Sequence, residues 1–397
     1  MNAAETTRLT AVAFIAYFVM SGMLAPIGIL SGPMAELFNL PVTTITARFS
    51  SLTLGLLAGS VAALFVFRLF TPKLAVMVSM GSIALCLLAL NLVGSGPLAW
   101  VMIAGVGVGC GIGLACGALI IARRFEDRLR AAMLVLTDSC FSIAGVICST
   151  LAVWFVAAEL AWYSTYQVLA ALCLVGVVLA GVSRFGFVTP ALEQSVDVQS
   201  LTVSQWPLPV WLVLLALSCY TLGTNCFLLW LPNYGQQSLG LSLQVSGGLV
   251  GQYWLGMFIG QLLVAGTVAW LGVLHWVRLA AVGTVLGSLP LWLLTDGATL
   301  SIAALCWGIA NFGLLKMGIA FATSQVRIPP GEMVAALMLA GTFGTSISAW
   351  VTSNIVAASS SYFVLQVGTG CLFVMAMAII GASLLNQAES SRQSSVG

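Results

Sequence analysis

The sequence predicts an all-α membrane protein: twelve transmembrane helices arranged as two pseudo-symmetric six-helix bundles. Three observations carry this. Of 397 residues, 60% are apolar and only 6% charged, with a mean hydropathy of +1.10; a soluble domain carries about 25% charged residues. The apolar runs are unbroken over about 20 residues, the length that spans a bilayer as a helix, not the roughly 10-residue alternating segments of a barrel. The basic residues gather on alternate loops. The formal net charge of +2 offers no field for nucleic acid.

Apolar segments fall at 9–34, 42–67, 74–94, 98–121, 131–157, 161–185, 207–232, 244–270, 275–295, 298–322, 331–357 and 361–386. The first is read as a span, because it ends in "GILSGP" rather than a small-x-small cleavage site. With the N-terminus in the cytoplasm, the cytoplasmic segments hold Arg8, Arg68, Lys73, Arg123, Arg124, Arg128, Arg130, Arg184, Arg278, Arg327 and Arg392. Of the 13 basic residues only Arg48 and Lys316 are left, and both lie inside spans. External loops hold Glu36, Glu159 and Asp296 instead. By the positive-inside rule both termini are cytoplasmic.

The longest polar stretch, "RFGFVTPALEQSVDVQSLTVSQW" (184–206), divides the chain. Residues 1–185 form the N-terminal bundle, 186–206 a cytoplasmic connector, 207–386 the C-terminal bundle and 387–397 a cytoplasmic tail. Six spans per half make the halves parallel in the membrane, the arrangement of secondary transporters with a central path. Span 1 ("SGMLAPIGILSGP") and span 7 ("LGTNCFLLWLPNY") both carry Gly and Pro in their external halves. Interrupted helices at matching positions are expected there.

Span 4 has a glycine ladder, Gly105, Gly109, Gly113 and Gly117, with Gly107 and Gly111 on a neighbouring stripe. Glycines four apart let a second backbone approach closely, so they are assigned to helix packing.

Three ionisable residues, Arg48, Asp138 and Lys316, lie well inside spans. Such charges cost about 2.5–3.5 kcal/mol each on insertion scales, so they face cavities or each other. Asp138 shares a helix face with Ser142, Gly145 and Ser149, a small polar stripe unsuited to lipid. It lies roughly 12 Å and Lys316 roughly 10 Å from the cytoplasmic ends of their spans at 1.5 Å per residue. The two are therefore expected to pair across the halves as a cytoplasmic gate, or as a proton-coupling site. Arg48, in the external part of span 2, is a candidate for an anionic group. Tyr220, Thr224, Asn225, Gln252 and Asn311 are polar candidates for the solute path.

A metal or disulfide framework is not expected: the 10 cysteines form no CxxC pair and the chain has one His, His275. A membrane enzyme would need polar clusters near one interface, so no enzymatic activity and no cofactor is expected. A non-transporting receptor on the same scaffold is the alternative, although the tail "NQAESSRQSSVG" offers no signalling domain.

Several stretches carry a resemblance. "ELFNLPVTTIT" (36–46), "LTDSCFSIAG" (136–145), "LSCYTLG" (217–223) and "GTFGT" (341–345) resemble the TsgA-type proteins, in the fucose-permease-like branch of the major facilitator superfamily. The resemblance covers essentially the whole chain. It implies alternating access by two rocking bundles, spans 1, 4, 7 and 10 lining the path, and coupling to an ion gradient, with protons as the expected ion. It also implies a small-molecule solute as partner, a monomer in the bilayer, and the bacterial inner membrane as the location. The chain departs from the fucose-type pattern in having no acid in the membrane segments of spans 1 and 4. The superfamily's Gly- and Asp-containing loop between spans 2 and 3 is reduced to "RLFTPKL" (68–74).

Overall fold

The computed structural model describes residues 3–94, 96–125, 127–185, 205–326 and 331–396. Helices and turns account for these residues, with no strand among them. The helices, in chain order, are α1 Ala3–Leu24, α2 Ile27–Phe38, α3 Val42–Arg48, α4 Ser50–Leu69, α5 Pro72–Val93, α6 Pro97–Arg124, α7 Asp127–Ala157 and α8 Ser164–Val182. They continue with α9 Leu208–Gln237, α10 Leu243–Ser288, α11 Pro290–Leu293, α12 Gly297–Ala310, α13 Leu314–Thr323, α14 Gly331–Ala358 and α15 Ser361–Val396. Twelve stretches are long and apolar enough to cross a membrane, from Ala4–Leu24 to Ser361–Gln387. Each falls on one of the twelve apolar segments of the sequence. Spans 8 and 9 are two helices that meet at Gly272, whose φ of 72° and ψ of 155° are not helical; α10 covers both.

Three details differ from the sequence-based reading. Span 1 is interrupted at Ala25–Pro26, as its prolines suggest, but span 7 is not: α9 runs through Pro232 without a break. The broken helix of the second half is span 10, where Asn311–Gly313 separate α12 from α13 and Gly313 takes a left-handed φ of 52°. Only Gly adopts that conformation without steric cost. The α15 backbone stays helical to Val396, beyond the apolar segment that ends at 386. Most of the connector, 186–204, lies outside the described residues.

Within each half the same pairs of spans meet most closely. A Cβ added to Gly55 or Gly59 of α4 would lie 2.3 Å from Ala104 O or 2.1 Å from Val108 O of α6; one on Gly107 would lie 2.1 Å from Leu52 O. In the second half a Cβ on Gly256 would lie 2.0 Å from Leu305 O, one on Gly260 2.6 Å from Ile309 O, and one on Gly308 2.0 Å from Tyr253 O. A constant offset of 201 residues relates Gly55 to Gly256, Gly59 to Gly260 and Gly107 to Gly308. Spans 2 and 4 are thus repeated, at these three contact glycines, by spans 8 and 10. Backbones this close gain dispersion and Cα–H···O contacts that lipid cannot replace. The ladder named from sequence meets side chains instead. Gly105 faces Cys86 Sγ, Gly109 faces Ile83, Gly113 faces Ser79 Oγ, and Gly117 faces the ring of Tyr17.

The repeat extends to polar contacts. At the start of span 3, Lys73 Nζ donates to Gly181 O (2.6 Å) and Ser183 O (3.1 Å), at the end of span 6. At the start of span 9, Arg278 Nε donates to Ser383 Oγ (2.8 Å), at the end of span 12. Six residues on from each cation, Ser79 Oγ donates to Gly109 O (2.7 Å) and Thr284 Oγ1 to Ala310 O (3.2 Å). Lys73, kept from the reduced loop, serves as a helix C-cap cation.

The halves meet along spans 5 and 8 (α7 and α10), spans 2 and 11 (α3–α4 and α14), and the outer parts of spans 1 and 7 (α2 and α9). At the second contact Thr53 Oγ1 donates to Ser346 O (2.9 Å) and Ser346 Oγ returns a bond to Thr53 O (3.0 Å). At the third, a Cβ on Gly28 would lie 2.4 Å from Leu228 O. That is the carbonyl Pro232 leaves without its helical N–H donor.

Candidate functional site

The membrane face that carries both chain ends is here called the terminal face. Asp138 lies on α7 eleven residues after its start, on the terminal-face side, with the polar stripe expected from sequence turned toward the other half. Ser142 Oγ donates to Gln261 Oε1 of α10 (3.1 Å). A Cβ on Gly145 would fall 2.4 Å from the ring of Trp254, and Ser149 is fully buried. The face is filled by protein, so the carboxylate at its end is directed away from lipid.

Lys316 reaches the same point from span 10. Its Nζ lies 2.7 Å from Asp138 Oδ1, with side chains 38% and 23% exposed respectively. The break at Asn311–Gly313 makes this possible by giving α13 a direction of its own just before Lys316. Lys316 Nζ also lies 5.8 Å from the ring centroid of Tyr17 on α1, a cation–π arrangement. Tyr17 in turn rests against Gly117, where a Cβ would come within 3.2 Å of its ring. Spans 1, 4, 5 and 10 therefore converge on one ion pair, each through a named contact. Partial exposure keeps the pair's energy well below that of a fully buried one.

The polar path candidates divide. Tyr220, Thr224 and Asn311 are buried and gather beside the break: Tyr220 Oη donates to Asn311 O (3.4 Å). Asn311 Nδ2 returns to Trp307 O (2.9 Å), while Asn311 Oδ1 and Thr224 Oγ1 are buried without a hydrogen-bond partner. A carbonyl freed by a broken helix and two unsatisfied oxygens make a polar spot in an otherwise apolar interior. Asn225, half-buried, instead gives its Nδ2 to Thr221 O of its own helix (2.7 Å). Gln252 is half-buried on span 8, one residue from Tyr253, without joining this group.

Arg48 stands apart from all of these. Its guanidinium lies 5.7 Å from the ring centroid of Trp100. The two line, with Ser51 and Pro97, a recess of about 540 Å³ between the outer ends of spans 2 and 4.

Sequence reasoning passed over Tyr17, Gln261 and Trp254. Aromatic residues in an apolar run read as core, and Gln261 gave no more signal than Gln252. Only the facing of α7 against α10 separates them.

The comparisons with known proteins bear on this architecture. The sequence profile of the Major Facilitator Superfamily matches residues 10–352. The chain belongs to that superfamily. Among curated relatives it is similar to "Protein TsgA homolog" of Edwardsiella ictaluri, 27% identical over 383 residues, covering 94% of this chain and 95% of that one. It is likewise similar to "Protein TsgA" of Shigella dysenteriae, 28% identical over 384 residues, with 94% of each chain covered. Among solved structures it shares the fold of the nucleoside transporter NupG, with a TM-score of 0.69, 15% identity, and 96% and 99% of the two chains covered. It also shares that of a D-xylose–proton symporter, with a TM-score of 0.75, 13% identity, and 94% and 96% covered. Twelve spanning helices and membership of this superfamily make the chain a multi-pass membrane transport protein.

Proposed function

We propose that the chain is a secondary active transporter that moves a small polar solute by alternating access and couples it to protons, with Asp138 as the coupling group. The single observation that carries this reading is the Asp138–Lys316 pair. It joins the two halves near one face, and it is the ion pair among the described residues that lies inside the membrane segments. With the termini in the cytoplasm, as the basic loops favour, the pair closes the inner gate. A proton delivered to Asp138 removes the attraction that holds Lys316, so spans 5 and 10 can part. Deprotonation restores the latch. Tyr17 offers Lys316 a second resting contact, which lowers the cost of releasing it.

The solute spot this reading favours is the group of Tyr220, Thr224 and Asn311 beside the break in span 10. The solved neighbours are named for a nucleoside and for D-xylose with protons, which favours a polar, uncharged solute here as well. Of the two cations inside the spans, Lys316 is neutralised by Asp138, so only Arg48 would favour an anionic solute.

The test has two stages. A thermal-shift screen of the purified protein against small metabolites finds the solute, because a ligand of the folded state raises apparent stability. Proteoliposomes carrying Asp138→Asn are then expected to lose accumulation driven by a proton gradient while retaining solute exchange. Accumulation at the wild-type rate would show that Asp138 is not the coupling site.

A further inference from the structure

The recess at Arg48 has no part in the pathway above, yet it has the features of a binding site. Arg48 is placed about 9 Å into span 2 from Val42, at 1.5 Å per residue. Among the described residues no carboxylate lies within ion-pair distance of it. Its neighbours are short of partners too: Ser51 Oγ and Trp100 Nε1 are both buried without a hydrogen-bond partner. Phe49 packs edge-on with the Trp100 ring, with centroids 5.4 Å apart, and helps hold its orientation. The recess also opens over the first turn of α6, whose N–H groups beyond Pro97 add a positive end. Arg48, Ser51, Pro97 and Trp100 line one space of about 540 Å³, and no carboxylate is among them. The missing partner is an anion with several oxygens.

The rim decides which anion. Leu54, one turn on from Ser51, is 51% exposed; Leu98 and Val101, on either side of Trp100, are 50% and 60% exposed. These apolar side chains neighbour the lining residues in the chain and face the surroundings of a membrane helix, so lipid lies beside the recess. A free solute anion would gain nothing from them, whereas acyl chains would lie along them.

We infer that the recess between the outer ends of spans 2 and 4 binds a phospholipid headgroup. The phosphodiester would be held by Arg48, Trp100 Nε1 and Ser51 Oγ, with the chains along Leu54 and Val101. Guanidinium is suited to phosphate because it offers paired donors, and Trp is suited to the interface because one end is apolar and the other donates. The bound lipid would cover the outer end of the close-packed pair of spans 2 and 4.

The experiment uses the full chain, purified in mild detergent, with native mass spectrometry to count bound lipid and thermal shift to read stabilisation. Three probes are compared: phosphatidylglycerol, diacylglycerol with the same chains, and inorganic phosphate. Phosphatidylglycerol is expected to bind and stabilise, and the other two are not. Arg48→Gln should weaken phosphatidylglycerol binding at least about tenfold, and Trp100→Phe, which keeps the ring and removes the N–H, by a smaller factor. Arg48→Lys serves if Arg48→Gln is not monodisperse; it keeps the charge, loses the paired donors and should bind more weakly than wild type. Equal binding of diacylglycerol would overturn the inference. So would unchanged phosphatidylglycerol binding in the variants, or stabilisation by inorganic phosphate that depends on Arg48, which would mark a soluble-anion site.

Discussion

Spans 4 and 10 occupy equivalent places in the two halves, and they have been used differently. Each packs against its partner span through glycines at the same offset. In span 4 the run continues: Gly111 also lies against α4, where a Cβ would come within 2.5 Å of Leu56 O. The equivalent residue in span 10 is Phe312. Its Cβ already lies 2.8 Å from where a Cβ on Gly260 would stand, and its ring packs edge-on against Trp276 at 5.0 Å. A phenyl ring cannot enter a space sized for hydrogen, so the helix turns away, with Gly313 in the left-handed conformation as the exit. Span 4 is therefore one continuous helix, whereas span 10 is two short helices with a polar joint. The joint supplies the freed carbonyl and sets Lys316 toward Asp138. Glycine at one position preserves a scaffold, and its replacement at the symmetric position creates a site.

The comparison can be broken most severely at the shared glycines. Gly107→Leu and Gly308→Leu each drive a side chain into a backbone oxygen about 2 Å away. Each is expected to cost more than about 3 kcal/mol and to abolish a monodisperse peak in size-exclusion chromatography. If Gly308→Leu were tolerated while Gly107→Leu was not, the second half would be less tightly packed than its geometry shows.

The ion pair gives the next largest effect. Asp138→Asn and Lys316→Met should each lower the thermal midpoint, and the double variant should recover part of the loss. A coupling of about 1–3 kcal/mol is expected for a pair half-open to water. A coupling near zero would mean that the 2.7 Å contact holds nothing.

Gly313→Ala sharpens the contrast at the joint. A Cβ at φ 52° costs about 1–2 kcal/mol. The variant should favour a continuous span 10, seen as slower amide exchange at 311–314 and a weaker Asp138–Lys316 coupling. No residue of span 4 has a positive φ to answer to the same change.

The smallest effect lies at the helix starts. Span 10 begins on Asp296, whose carboxylate accepts the Thr299 N–H (2.9 Å), whereas span 4 begins on Gly96 and Pro97 without a side-chain cap. That backbone bond holds the Asp296 carboxyl below its ordinary value. Its stabilisation is therefore present above the ordinary carboxylate range and is lost as pH falls through the lowered value. Asp296→Asn should keep the cap and flatten the acid limb of the thermal midpoint by a small amount.

Much of this was legible in the chain itself. The spans follow from hydropathy because lipid leaves a backbone no choice but to bond within its own helix. Asp138 and Lys316 stand out because charge is so rare here, and helical rise alone put them at one depth. The Ser142, Gly145 and Ser149 face was legible from periodicity. Tyr17, Gln261 and Trp254 were not, because nothing in an apolar run distinguishes an aromatic that meets a gate from one that fills a core. The break in span 10 was equally hidden. In the sequence Phe312 looks like any lipid-facing residue, while the proline of span 7 suggested a break that α9 does not make.

Local hydropathy and the cost of charge in lipid were enough to set the solvent, the number of crossings and the three charges that needed an explanation. Tertiary structure alone decided which charges meet. Asp138 found Lys316 because span 10 bends where Phe312 stands in place of a glycine, and Arg48 stayed with Trp100 because its span keeps its glycine contacts to span 4. Those outcomes depend on backbones approaching to within van der Waals distance across segments far apart in the chain, a scale set by the packing of neighbouring helices.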